Sequence, residues 1–148
     1  MEVDFGCVNS QPTGPITDGT CLRQGFVSKS DMLNSVSVLF STYGRVNEGC
    51  VILEITDVVS GKKIAEDRCD VSELMDNDWH DFKLNVFLGE NRMCEVRLWT
   101  IHCRAGMSFT VHHGAKTEGG YLFVGARLIR NEELRCRFSY AEIGVSGV

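Results

Sequence analysis

The sequence predicts an all-β chain folded as an antiparallel two-sheet β-sandwich of the jelly-roll kind, with about eight to nine strands. Three observations predict it. Apolar residues recur at every second position far more often than at helical spacing, as in Val36, Val38 and Phe40 or Val51, Leu53 and Ile55. The alternating stretches are short and are punctuated by Gly, Asn and Asp, the residues that tight turns need. The two prolines, Pro12 and Pro15, stand ahead of the first well-patterned strand, so no later strand is barred from a sheet interior.

In chain order the strands are expected at Cys21 to Ser28, Ser35 to Thr42, Gly49 to Asp57, Lys62 to Asp70, Trp79 to Phe87, Arg92 to His102, Met107 to His113 and Leu134 to Gly144. Tyr121 to Leu128 is a candidate ninth. The turns are marked by Ser-Gly-Lys-Lys after Val59, Met-Asp-Asn-Asp before Trp79, Leu-Gly-Glu-Asn before Arg92 and Cys-Arg-Ala-Gly before Met107. Ser-Glu-Leu-Met-Asp suits one helical turn. Parity assigns Val36, Val38, Phe40, Val51, Leu53, Ile55, Phe82, Leu84, Val86, Val96, Leu98, Phe109 and Val111 to the inner faces. Trp79 follows a turn and opens a strand, which suits a plug for the end of the sandwich.

A chain of 148 residues is the size of one domain, 1–148, with enough apolar area for a core without metal or disulfide staples. Hydrophobic residues at 43% and charged residues at 24% fit a soluble globular chain, with no segment that spans a bilayer. The net charge of −5 argues against a general affinity for nucleic-acid phosphates. The cluster of Arg127, Arg130, Arg135 and Arg137 is interrupted by Glu132 and Glu133 and reads as a solvated face.

Seven cysteines are an odd count, and they show no Cys-x-x-Cys pair or other short metal spacing. Cys50, Cys94 and Cys136 occupy positions where a strand wants a small apolar residue, so reduced thiols in a cytoplasmic protein are expected. No metal and no cofactor is expected. Asp76, Asn77 and Asp78 read as a turn, because a calcium ion needs six or more oxygens from several loops and only this one cluster is supplied.

The outward parity carries the functional reading. Opposite Val96 and Leu98 stand Glu95, Arg97 and Trp99, and opposite Phe109 and Val111 stand Ser108, Thr110 and His112. If those two strands are neighbours, Trp99, Arg97, Thr110 and His112 share one surface. An aromatic plate flanked by short polar groups and a guanidinium suits a sugar, which has an apolar C–H face and a fringe of hydroxyls. The bland alternative is a Trp99 covered by a terminal segment or a partner copy. In the loop after Ser41, Gly44 and Gly49 bracket Arg45 to Glu48, and Tyr43, Arg45 and Asn47 add a candidate recognition edge to a turn. The alternative there is that Arg45 pairs with a nearby acid and Asn47 binds its own backbone.

No enzyme motif is present. His112 and His113 are adjacent, which puts them on opposite faces of a strand and defeats a cupin metal site. There is no Gly-x-Ser-x-Gly elbow, phosphate loop or dinucleotide fingerprint, and no carboxylate pair is placed for glycoside hydrolysis. No catalytic residue is assigned.

Gln24 and Phe26 in the first strand, the Thr42-to-Gly49 loop, the strand ending at Asp57, and Asn77 with Trp79 and Phe82 together carry a resemblance over roughly the first two thirds of the chain. It resembles the jelly-roll accessory modules of bacterial surface-polysaccharide glycosyltransferases. More loosely, it is similar to the C-terminal glycan-binding domain of O-antigen ABC-transporter ATPases. The stretch from Glu118 to Val148 departs from that pattern. The resemblance implies a non-catalytic carbohydrate-binding module that contacts an O-antigen-type polysaccharide beside a glycosyltransferase or transporter domain. The competing expectation is a protein-interaction or oligomerisation domain, a possible homodimer anchored by Trp99, Ile52 and Leu39. An enzyme of the sandwich or cupin class is the third.

Overall fold

The structure, a computed structural model, describes residues 1–104 and 106–141. Its strands are β1 (Glu2–Phe5), β2 (Val8–Pro12), β3 (Leu22–Val27), β4 (Met32–Ser41), β5 (Cys50–Asp57), β6 (Lys63–Asp70), β7 (Asp78–Phe87), β8 (Met93–Ile101), β9 (Thr110–Ala115), β10 (Leu122–Val124), β11 (Arg127–Leu128), β12 (Glu132–Leu134) and β13 (Cys136–Tyr140). A 3-10 turn at Val71–Glu73, capped by Asp70, overlaps the start of the predicted helical turn at Ser72 and Glu73. Among the described residues the strands form two antiparallel sheets, and the chain is a β-sandwich.

One sheet has six strands in the order β11-β10-β3-β8-β5-β6. The other has seven: β1-β13-β4-β9-β12 in order, with β7 on the free edge of β4 and β2 paired to β9. The strand count exceeds the eight or nine expected for identifiable reasons. β2 is exposed at every residue, so it has no apolar parity to read, and it tolerates Pro12 because it pairs only with β9 at an edge. The segment predicted from Leu134 to Gly144 is part of two strands that break at Arg135, and its residues 142–144 lie outside those described. The turn predicted at Cys-Arg-Ala-Gly likewise includes Ala105, outside the described residues.

The inner faces are those that parity assigns: Val36, Val38, Phe40, Val51, Leu53, Ile55, Phe82, Leu98, Phe109 and Val111 are completely buried. Leu84 and Val86 are only half-buried, because β7 is an edge strand. Phe138 packs against Phe26 at 4.3 Å and Phe5 at 4.9 Å, and Phe40 packs edge-on to Phe109 at 5.4 Å. Each of these buried rings is worth several kcal/mol. Gln24 lies inside this core and is used by both sheets. Its Nε2 donates to the Gly25 carbonyl at 2.8 Å, and its Oε1 accepts from the Leu134 N–H in the opposite sheet at 2.8 Å.

The segment between β2 and β3 closes one end of the sandwich. Thr13 and Ile16 donate their N–H groups to Val111 and Phe109 of one sheet side, while Asp18 N–H reaches Cys103 beyond the end of β8. The Asp18 carboxylate accepts from Thr100 Oγ1 and from the Cys103 N–H, both at 2.9 Å. This strap sets the walls of the clefts described next. All seven cysteines are free thiols.

Candidate functional site

Strand β8 turns Glu95, Arg97 and Trp99 outward because Val96 and Leu98 are drawn into the core. The register places Arg97 between Arg23 of β3 and Glu54 of β5, and Trp99 beside Ile52 of β5. Glu54 stands opposite Glu66 of β6, and Ile52 opposite Arg68. Ile52 points outward, yet it is fully buried under its neighbours, so it is no interface anchor.

Between this face and the end of the strap lies a cleft of about 340 Å³, lined by Gly19, Thr20, Cys21, Glu54, Arg97, Trp99 and Thr100. Trp99 is half-buried, and among the described residues no ring or guanidinium stacks on its face. Arg97 is oriented from below. Its Nε donates to Glu95 at 2.8 Å, and the same buried carboxylate accepts from Tyr121 Oη and attracts Arg23 at 3.8 Å. Burial first, then the bond to Glu95, pushes the Tyr121 phenol up to about 12, so it is a fixed donor at neutral pH. Gly25 makes room for that phenol, since a Cβ there would lie 2.5 Å from the Tyr121 ring. Burial raises the Cys21 thiol against the pull of Arg97 and Arg23, which keeps it neutral in the cleft wall.

The loop residues Tyr43, Arg45 and Asn47 lie at the same end of the sandwich, on the other side of the strap. Their cleft, also about 340 Å³, includes Pro15, Thr17, Tyr43, Arg45 and Ser108. Asn47 is buried and spans the turn, donating to the Thr42 carbonyl at 3.1 Å and accepting from Arg45 Nε at 2.8 Å. Arg45 also donates to the Ser108 carbonyl at 3.1 Å and stacks 5.1 Å from the Tyr43 ring centre, and among the described residues it pairs with no acid. Tyr43 is exposed and holds φ at 59°, a conformation unusual for a bulky residue.

Thr110 and His112 do not join Trp99. β9 belongs to the seven-stranded sheet and β8 to the six-stranded one, so the two rows face away from each other. Thr110 is buried, exchanging hydrogen bonds with Gly14 N–H at 3.1 Å and Gly14 C=O at 2.8 Å. His112 lies 2.9 Å from Ser41 Oγ, and burial, helped by His113, lowers its pKa so that the ring is neutral at pH 7. Parity reveals which face a residue takes within its sheet. It does not reveal which sheet the strand joins.

Trp79 is not an end plug. It lies on the outer face of the seven-stranded sheet, beside Leu39, with the guanidiniums of Arg137 and Arg135 at 4.2 and 4.7 Å from its ring. Both arginines are tied to Asp4 Oδ1, at 2.6 and 3.2 Å. The preceding turn spends its oxygens internally: Asp76 on the Thr42 N–H, Asn77 on Ser41 Oγ and Asp78 on the Trp79 N–H. Glu54, Glu95 and Tyr121 were not singled out by the sequence. The signal that finds them is the pairing of β3, β8 and β5, which puts their outward rows side by side.

The chain matches no family model and no curated protein. Among the described residues no helix is long and apolar enough to cross a membrane.

Proposed function

We propose that this chain is a non-catalytic carbohydrate-binding β-sandwich whose ligand is a polysaccharide of the bacterial surface, O-antigen type, in glycan biosynthesis or export beside a glycosyltransferase or transporter domain. The observation that carries the proposal is the half-buried, unstacked Trp99 ring in a cleft whose walls also hold Arg97 and Glu54. A pyranose stacks its C–H face on an indole while its hydroxyls take hydrogen bonds at the ring edge, and this cleft offers both kinds of contact. The polysaccharide class and the neighbouring domain rest on the sequence resemblance alone. Tyr43 and Arg45, across the strap, are within the same end of the molecule and offer a second contact for a chain-like ligand.

The test uses the protein's two tryptophans. In a Trp79→Phe background Trp99 is the sole indole, and titration with a glycan hit from an array of bacterial polysaccharides is expected to shift its emission. Trp99→Ala is expected to lose that hit. A hit that survives Trp99→Ala unweakened defeats the assignment.

A second reading, self-association without sugar affinity, draws on a different surface. Val27, Val58 and Met93 are exposed and adjacent at the far end of the six-stranded sheet, with Val27 and Met93 in register and the Val58 N–H bonded to the Met93 carbonyl. Light scattering separates it from the first: a dimer that dissociates on Met93→Glu favours association there.

A further inference from the structure

Three carboxylates project from neighbouring strands of the six-stranded sheet, of which Glu54 lines the Trp99 cleft, and their circumstances differ. Glu66 has both oxygens taken, one by Lys63 Nζ and one by Arg68 Nε, each at 2.6 Å. Glu95 is held by Tyr121, Arg97 and Arg23. Glu54 stands directly between Arg97 and Glu66 in the register, yet accepts no hydrogen bond and makes no ion pair among the described residues. The cations nearest to it are directed to the other two acids. It is half-buried and lines the Trp99 cleft.

We infer that Glu54 is the specificity-determining acceptor of this cleft, and that it selects a neutral hexopyranose with free adjacent hydroxyls over an acidic sugar. This rests on the carbohydrate-binding reading of the Trp99 cleft. A carboxylate with four unused lone-pair sites takes the hydrogens of two neighbouring hydroxyls. Arg97, with Nε committed to Glu95, still has its Nη donors to offer a hydroxyl oxygen. A hydroxyl gives and accepts, so a diol satisfies both side chains at once. A uronate or phosphate-bearing sugar satisfies Arg97 only, and sets a second negative charge against Glu54, whose neighbouring cations Lys63, Arg68 and Arg97 are bonded to Glu66 and Glu95. Like-charge juxtaposition in a partly desolvated cleft is a strong rejecting device. A sequence reading passes over Glu54 because its character depends on what Glu66 and Glu95 do on two other strands.

The experiment titrates the full chain, its Trp99→Ala variant and its Glu54→Gln variant against size-matched oligosaccharides, neutral hexose and hexuronate, printed on one array and repeated by calorimetry. The wild type is expected to prefer neutral probes by about tenfold or more. Glu54→Gln, which keeps shape and loses charge, is expected to weaken the neutral probes by about tenfold and to narrow the preference to about threefold or less. Circular dichroism and melting temperature confirm that the variant is folded, as expected for a side chain with no hydrogen bond or close ion pair to lose among the described residues. A wild type that prefers hexuronates, or a preference unmoved by Glu54→Gln, overturns the inference. Loss of these hits in Trp99→Ala leaves the cleft standing in that event. A wild type that binds none of the probes, or probes bound equally by Trp99→Ala, removes the cleft reading and the inference together.

Discussion

Each sheet of this sandwich carries an outward tryptophan near arginines, and the two are in opposite conditions. On the seven-stranded sheet Trp79 is stacked by Arg135 and Arg137, which Asp4 holds in place. Its π face is used up inside the molecule. On the six-stranded sheet Arg97 is drawn down to Glu95, and the half-buried Trp99 ring lines a cleft with no guanidinium stacked on it among the described residues. Composition is nearly the same in both places. What separates a structural patch from a candidate binding surface is whether the arginines have an acid that directs them onto the ring or away from it.

The comparison is broken most directly by truncating each tryptophan. Trp79→Ala removes a half-buried ring and two cation–π contacts, and about 2–3 kcal/mol of stability is expected to go with it, less than the ~3–5 of a fully buried aromatic. Trp99→Ala also removes a half-buried ring, one that covers part of Ile52, but loses no cation–π contact among the described residues, so a smaller cost of about 1–2 kcal/mol is expected. Urea unfolding of both variants measures the difference. Equal losses would erase the distinction between the faces.

Gly25→Ala sharpens it from the side of the acid. The new Cβ would meet the Tyr121 ring, so the ring swings away from Glu95, at a cost of about 1–2 kcal/mol. Spectrophotometric titration of the three tyrosines is expected to show one group falling from about 12 toward the ordinary 10.0.

The faces also respond at opposite ends of the pH scale. Tyr121 is raised in the folded chain, so its contribution is complete below pH 10 and disappears as pH rises from 10.0 through about 12. Tyr121→Phe is therefore expected to flatten part of the alkaline loss of stability. Tyr140, which burial raises to about 12, supplies another part and remains in that variant. At Asp4 burial raises the pKa, but the bonds from Arg137 and Arg135 outweigh it and leave it lowered from 3.8. That contribution is present above the ordinary value and is lost as pH falls below about 4 through the lowered one. Asp4 is well exposed, so Asp4→Asn is expected to give the smallest effect of the set, a slight flattening of the acid limb seen by comparing melts at pH 5 and pH 3.

The sandwich and its inner faces were legible because Val36 to Phe40, Val51 to Ile55 and Val96 to Leu98 turn alternate apolar residues to the core, and that facing writes itself into sequence with a period of two. β2 was not, because an edge strand with every side chain exposed obeys no such period. Trp99 and Arg97 were legible as an outward pair for the same reason that their strand was. Thr110 and His112 were grouped with them on the assumption that β8 and β9 are neighbours, which is a property of topology. The fates of Trp79 and Glu54 were hidden further still, since each is decided by partners on other strands.

The pairing of β1 with β13 has a consequence for how the chain is made. Asp4 waits for Arg137, 133 positions later in the sequence, and the strap at Thr13 to Asp18 waits for partners between Thr100 and Val111. On the ribosome the first strand to emerge therefore has nowhere to dock until nearly all of the others have followed. The six-stranded sheet is different at its centre, because β3, β5, β6 and β8 are complete by Ile101. A nascent chain stalled near that point holds a four-stranded sheet whose apolar inner face is still short of β9, β12 and β13 opposite it. Contacts this distant in sequence form slowly, so a chain stalled there is expected to keep apolar surface exposed for longer than one built from local pairings.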